Sequence, residues 1–140
     1  MKTKALVVAV AALSVFGSAQ AEIAKGTVKI GVLTDMSGVY ADYGGPGALA
    51  AARLAVQDFG GKMFGKPIEV VNADHQNKPD VGVNIARQWI DTQKVDMITD
   101  TPNSGVALAV SNVAKEKNVV LVNNGGASAD LTGKACNANT

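Results

Sequence analysis

Apolar and polar positions follow two rhythms along this chain: short β-branched runs, and longer stretches with apolar residues three or four apart. Val28 to Leu33 (VKIGVL), Ile68 to Asn72 (IEVVN), Asp96 to Thr99 (DMIT) and the run opening at Val119 (VVLV) have strand length. Both faces of the first run are mostly apolar, as in a central strand covered by helices on two sides. Between them lie three helical patterns. Ala48 to Phe59 places Leu49, Ala52, Val56 and Phe59 on one face and stops at Gly60-Gly61. A second helix opens at Pro79-Asp80, with Val81, Ile85, Ala86, Trp89 and Ile90 inward and Arg87, Asp91 and Lys94 outward. The third, Gly105 to Lys117, gathers Val106, Ala109, Val110 and Val113 and breaks at Asn118. Strand and helix alternate, and each crossover is long enough for a right-handed βαβ unit, which predicts an α/β fold with a parallel, doubly wound sheet.

In such a sheet ligands sit outside the carboxyl ends of the strands. The stretch Val119 to Thr132 (VVLVNNGGASADLT) runs from a strand into Asn123, Asn124, Gly125, Gly126, Ala127 and Ser128, where no bulky side chain shields the backbone. Asp100-Thr-Pro-Asn-Ser104 follows the third strand, and Ser104 stands where a helix N-cap is expected. A hydroxyl and free amides at a helix start can hold a carboxylate, although a purely structural cap has the same signature. The long loop after the first strand carries Tyr40 and Tyr43, either of which can offer a phenol or a ring, or lie idle on the surface. The expected site is a small-molecule cleft walled by facing loops.

The chain begins with Lys2 and Lys4 before an apolar run from Ala5 to Phe16, then Gly17, Ser18 and Ala19-Gln20-Ala21. This is the pattern of a cleaved secretory signal peptide, residues 1–21, with the mature chain from about Glu22. The run falls short of the roughly 20 apolar residues of a membrane-spanning helix. Removing the leader's two lysines turns the formal charge from +1 to about −1 and leaves no basic run, which argues against nucleic acid and anionic membranes as partners. Cys136 is a lone cysteine. The tail Ala135 to Thr140 lacks a helix, a cap or a charged run, and a longer protein is expected.

Catalytic and cofactor readings fare poorly. Gly44-Gly45-Pro46-Gly47 lies too far from the strand end for a dinucleotide fingerprint, and Pro46 removes an amide that a pyrophosphate would use. His75 is the only histidine, and with Asp74 alone it makes no metal set; a surface loop is the expected setting. No nucleophile motif appears, so neither an enzyme nor a cofactor or metal is expected.

The signal peptide, the strand Val28 to Leu33, Ser37-Gly38, Tyr43-Gly44, DHQNKPD at Asp74 to Asp80 and GGASADLT at Gly125 to Thr132, taken in order, resemble the N-terminal lobe of the periplasmic branched-chain amino acid binding proteins, the type I solute-binding proteins of ABC importers. That resemblance implies a Venus flytrap of two lobes, of which residues 22–140 are the N-terminal one. It implies a monomer that captures a solute in the periplasm and delivers it to a membrane permease. It places the ligand carboxylate on Ser104, backbone contacts on Gly125, Gly126 and Ala127, and a tyrosine contact on Tyr43. Amino acid binders of this kind carry a threonine where this chain has Ala127. Loss of that hydroxyl removes a partner of the ammonium group, about 1.5 to 3 kcal/mol for a charged hydrogen bond, and Ser128 is the nearby hydroxyl that could replace it. Branched-chain amino acids, aromatic or other organic acids, and amides such as urea are the ligand classes in play. The same lobe in a receptor would be a ligand-sensing domain, and an exported α/β enzyme would need its catalytic set elsewhere.

Overall fold

The computed structural model describes residues 26–140; the signal peptide at 1–21 and the mature start near Glu22 lie outside the described residues. The element order is β1 (Val28–Thr34), α1 (Gly45–Asp58), β2 (Lys62–Met63), β3 (Lys66–Asp74), α2 (Pro79–Gln88), β4 (Met97–Asp100), α3 (Ser104–Lys117) and β5 (Val120–Asn123). The sheet order is β2-β3-β1-β4-β5. All pairings are parallel except β2 with β3. This is the expected doubly wound α/β sheet.

The crossover from β1 moves one way to β3, whereas the one from β4 moves the other way to β5, so the switch point lies between β1 and β4. It sets α1 on one face and α2 with α3 on the other. The core lies on the second face, where Leu33, Ile98 and Leu121 from the sheet meet Trp89, Val106, Val110 and Val113. Gly31 and Gly82 permit that packing. A Cβ at Gly31 would collide with the Trp89 ring, and one at Gly82 would stand 2.7 Å from Val106 Cγ1. The α1 face is covered only over β1 and β3, and Val120 and Val122 on β5 remain 49% and 46% exposed. The last residues fold back along the free edge of β5, where Leu121 N donates to Asn139 O at 2.7 Å.

Several boundaries differ from those expected. α1 starts at Gly45 instead of Ala48, because Gly45 takes a left-handed φ of 43° and Pro46 suits a first turn that has no amide to satisfy. Phe59, expected inward, is exposed. The turn at Lys62 to Pro67 is a two-residue hairpin with positive φ at Phe64 (51°) and Gly65 (75°), the geometry that matches strand twist. The second helix runs on through a wide turn at Trp89–Gln93 before Lys94 caps it in the left-handed region. Asn118 ends α3 in the same way, with φ 53°.

Candidate functional site

Each parallel strand runs out at its carboxyl end into polar residues: Thr34-Asp35, Asp74-His75, Asp100-Thr101 and Asn123. These residues build the loops of the candidate site. Asp35 is buried and turns its carboxylate back into the first loop, accepting from Gly38 N at 2.8 Å and Tyr40 N at 3.0 Å. Asp74 ties that loop to the next one, accepting from Ser37 Oγ at 2.6 Å, Met36 N at 3.1 Å and Gln76 N at 2.7 Å. Burial opposes the ionised form of Asp74, but these hydrogen bonds, helped by His75, outweigh it and hold its carboxyl below the usual value.

Below the loops lies a buried polar layer. Thr34 Oγ1 accepts from Gly45 N at 2.8 Å, and the side chains of Thr34 and Asp100 meet beneath Gly44. Gly44 closes over this pair, since a Cβ there would stand 2.8 Å from Thr34 Oγ1 and 2.9 Å from Asp100 Oδ2. Burial pushes the Asp100 carboxyl upward, against the pull of Thr34 and His75. His75 is 0% exposed, contrary to the expected surface loop. The reason is local: β3 continues to Asp74, so the next residue still lies under the sheet's carboxyl edge, where His75 N donates to Thr34 O at 2.9 Å. Its Nδ1 accepts from Asn77 N at 3.0 Å, which leaves the proton of the neutral ring on Nε2. Burial lowers the His75 pKa, and the charges of Asp35, Asp74 and Asp100 pull the other way. His75 Nε2 and Asp100 Oδ2 are buried without a hydrogen-bond partner among the described residues.

Asp100 and Thr101 carry successive positive φ values of 84° and 59°. Left-handed non-glycine residues cost about 1–3 kcal/mol each where the region is strained, and persist when their surroundings hold them. Here Thr101 N donates to Leu33 O at 2.9 Å, and the Thr101 hydroxyl lies 2.9 Å from Asn123 Oδ1. The turn aims Pro102, Asn103 and Ser104 across the switch point.

The N-cap of α3 is Asn103, whose side chain accepts from Val106 N at 2.9 Å. This corrects the assignment to Ser104, which occupies the first helical position and is released from capping by the asparagine before it. Ser104 Oγ instead accepts from Ala127 N at 3.1 Å. Thus the structure brings together two of the expected ligand residues, from loops 23 positions apart. Gly125 packs on Pro102, where a Cβ would come within 2.7 Å of its Cα. Gly126 is bound on both sides by one side chain: its N donates to Asn123 Oδ1 and its O accepts from Asn123 Nδ2, both at 3.0 Å. The amides of Gly126 and Ala127 are therefore already engaged. Tyr43 stands apart on the first loop, 67% exposed. Among the described residues, no group of three or more His, Cys, Asp or Glu could hold a metal ion. An apolar groove between α1 and the sheet, lined by Val56, Phe59, Ile68 and Met97, lies away from these loops and lacks charged side chains.

Asp35, Asp100 and Asn103 build the site and were given no role by sequence reasoning, which weighed Asp74 only beside His75 and Asn123 only as the start of a backbone-rich loop. The signal that could have found them is the recurrence of Asp or Asn wherever a parallel strand ends.

A sheet of this order, with polar, backbone-rich loops at its switch point, belongs to the α/β binding folds. More specifically, the chain is a member of the periplasmic binding protein family and has the type I fold: the family described as "Periplasmic binding protein" matches residues 27–140. It is 50% identical to a periplasmic binding protein of Burkholderia mallei, covering 82% of this chain and 31% of that one with a TM-score of 0.80. It is 47% identical to a branched-chain amino acid ABC transporter periplasmic ligand-binding protein of Burkholderia xenovorans, covering 80% and 30% with a TM-score of 0.78. A solute-binding protein of an ABC transporter from Rhodopseudomonas palustris, solved in complex with benzoate, is 30% identical over 81% of this chain and 31% of that one, with a TM-score of 0.73. The chain thus spans about three tenths of the length of these relatives. No curated protein matches it.

Proposed function

We propose that the chain forms the N-terminal lobe of a periplasmic substrate-binding protein that delivers a small carboxylate-bearing solute to an ABC permease for import. The observation that carries the carboxylate is the state of the Ser104 hydroxyl. By accepting from Ala127 N, its oxygen uses a lone pair and leaves its single proton free to be donated. A hydroxyl so oriented, beside the N-terminus of α3, favours an anionic oxygen. Gly125 adds backbone beside this point, Gly126 and Ala127 shape the wall while their amides are held by Asn123 and Ser104, and Tyr43, exposed on the first loop, is the remaining proposed contact. Position 127 lacks a hydroxyl for an ammonium group, so aromatic acids such as benzoate are ligand candidates alongside branched-chain amino acids. Both classes have precedent among the relatives.

The reading is tested by thermal-shift screening of the full two-lobed protein against branched-chain amino acids, benzoates and short amides. A ligand at a hundredfold excess over its dissociation constant should stabilise the protein by about 2.7 kcal/mol. Turnover of a solute, with no stabilisation by any, would overturn it.

A further inference from the structure

We propose that Asn77 and Asn103 form a positioning pair that sets Ser104 against Ala127, an inference that rests on Ser104 being the carboxylate contact. The N-termini of α2 and α3 lie side by side. A Cβ at Gly105 would stand 3.6 Å from Pro79 Cγ, and the helices close on each other at Gly82. Asn77, just before α2, is held in the left-handed region at φ 57° by its own N donating to the buried His75 Nδ1. Its Oδ1 accepts from Asn103 Nδ2. Asn103 in turn uses Oδ1 for Val106 N and its backbone O for Ala107 N at 2.8 Å.

Both ends of the Asn103 amide are thereby fixed, one to its own helix and one to the neighbouring loop. A cap alone needs only the oxygen. The Nδ2 contact fixes where the first turn of α3 sits relative to α2, and Ser104 is the next residue. The chain of contacts runs from His75 through Asn77 and Asn103 to Ser104 and ends at Ala127 N. It joins the loops after β3, β4 and β5 through directional contacts, in addition to the packing of Gly125 on Pro102 and of Gly105 beside Pro79.

The decisive variants keep the cap and remove the link. Asn103→Ser retains a good capping oxygen but is too short to reach Asn77. Asn77→Gly removes the acceptor and tolerates the positive φ. In the full two-lobed protein, hydrogen exchange in the segment containing Ala127 should speed up at least fivefold in both variants while the protection of α3 is unchanged. Asn77→Asp, which restores an acceptor oxygen, should return exchange to the parent rate. Affinities for isoleucine and benzoate, measured by calorimetry, should fall at least fivefold for whichever the parent binds. Unchanged exchange at Ala127, or equal acceleration throughout α3, would overturn the pairing. Because exchange is read without ligand, the pairing is decided even if the parent binds neither probe, a result that would count against the carboxylate reading alone.

Discussion

Ser104 Oγ lies 3.1 Å from Ala127 N, and this hydrogen bond ties the start of α3 to the loop after β5. Its direction matters more than its length. The amide is a donor, so the hydroxyl must accept there and can point its proton only elsewhere. Asn103 makes this possible by taking over the cap, since a serine engaged with Val106 N would face the helix.

Ser104→Ala should therefore weaken binding of a carboxylate ligand at least tenfold, about 1.4 kcal/mol, with little change in stability. No cap is lost, alanine suits a first helical turn, and Ala127 is exposed, so water can replace the hydroxyl at its amide. Calorimetric titration and thermal melting of the two-lobed protein separate the two effects. Unchanged affinity would reduce Ser104 to a strut between loops.

Gly125→Ala should displace the loop after β5. The added methyl would meet the backbone of Pro102 at 2.7 Å, and Pro102 follows two residues already in the left-handed region. Neither side can yield cheaply, and overpacking of this kind costs about 1–3 kcal/mol. The Tm should fall and ligand affinity should drop with it. A variant with parent stability and affinity would mean that the loop after β5 shifts freely without consequence for binding.

Asn123→Ala should destabilise the fold by about 2–3 kcal/mol, from the loss of contacts to Gly126 N, Gly126 O and the Thr101 hydroxyl at about 1 kcal/mol each. Asn123→Asp keeps the acceptor and forfeits only the bond to Gly126 O, so it should lose about a third of that. Urea unfolding at neutral pH measures both, and equal losses in the two variants would show that the acceptor contacts contribute nothing.

The architecture was legible because burial on both faces marks central strands, and because each helix carries a 3.6-residue stripe. Val28 to Leu33 and Gly105 to Lys117 fell within one residue of β1 and α3. Loops at the carboxyl edge could be foreseen in the same way, including the meeting of the Ser104 and Ala127 loops. What could not be read was the polar scaffold beneath them. The burial of His75 depends on β3 continuing to Asp74, and that extension is set by pairing with all of β1, from Val28↔Ile68 to Thr34↔Asp74. Likewise, Asn103 and Ser104 are both good capping residues, and only the left-handed turn at Asp100-Thr101 decides between them.

The buried layer gives stability a pH dependence whose sign follows from the shifts. The folded His75 pKa is lowered from its ordinary 6.5, by burial first, with Asp35, Asp74 and Asp100 opposing. The unfolded chain therefore takes up this proton before the folded one does. Its contribution to stability is fully present above about pH 6.5 and is lost as pH falls from there toward the folded value. Asp100 acts in the opposite sense, because its raised pKa lets the folded protein hold a proton at pH values where the unfolded chain has released it. Asp74, lowered from 3.8, withdraws support only in stronger acid. The His75 share is isolated by His75→Asn, whose Oδ1 can stand in for Nδ1 toward Asn77 N without titrating. Urea unfolding at pH 7.5 and 5.5 should show the parent losing stability relative to this variant, by at most about 1.4 kcal/mol per pH unit for one proton. Asp100 and Asp74 titrate in both proteins, and the comparison reads the His75 proton together with the pull that His75 exerts on those two carboxyls. Parallel pH profiles would mean that His75 is charged in the folded state as readily as in the unfolded one, and the neutral ring with its proton on Nε2 would have to be given up.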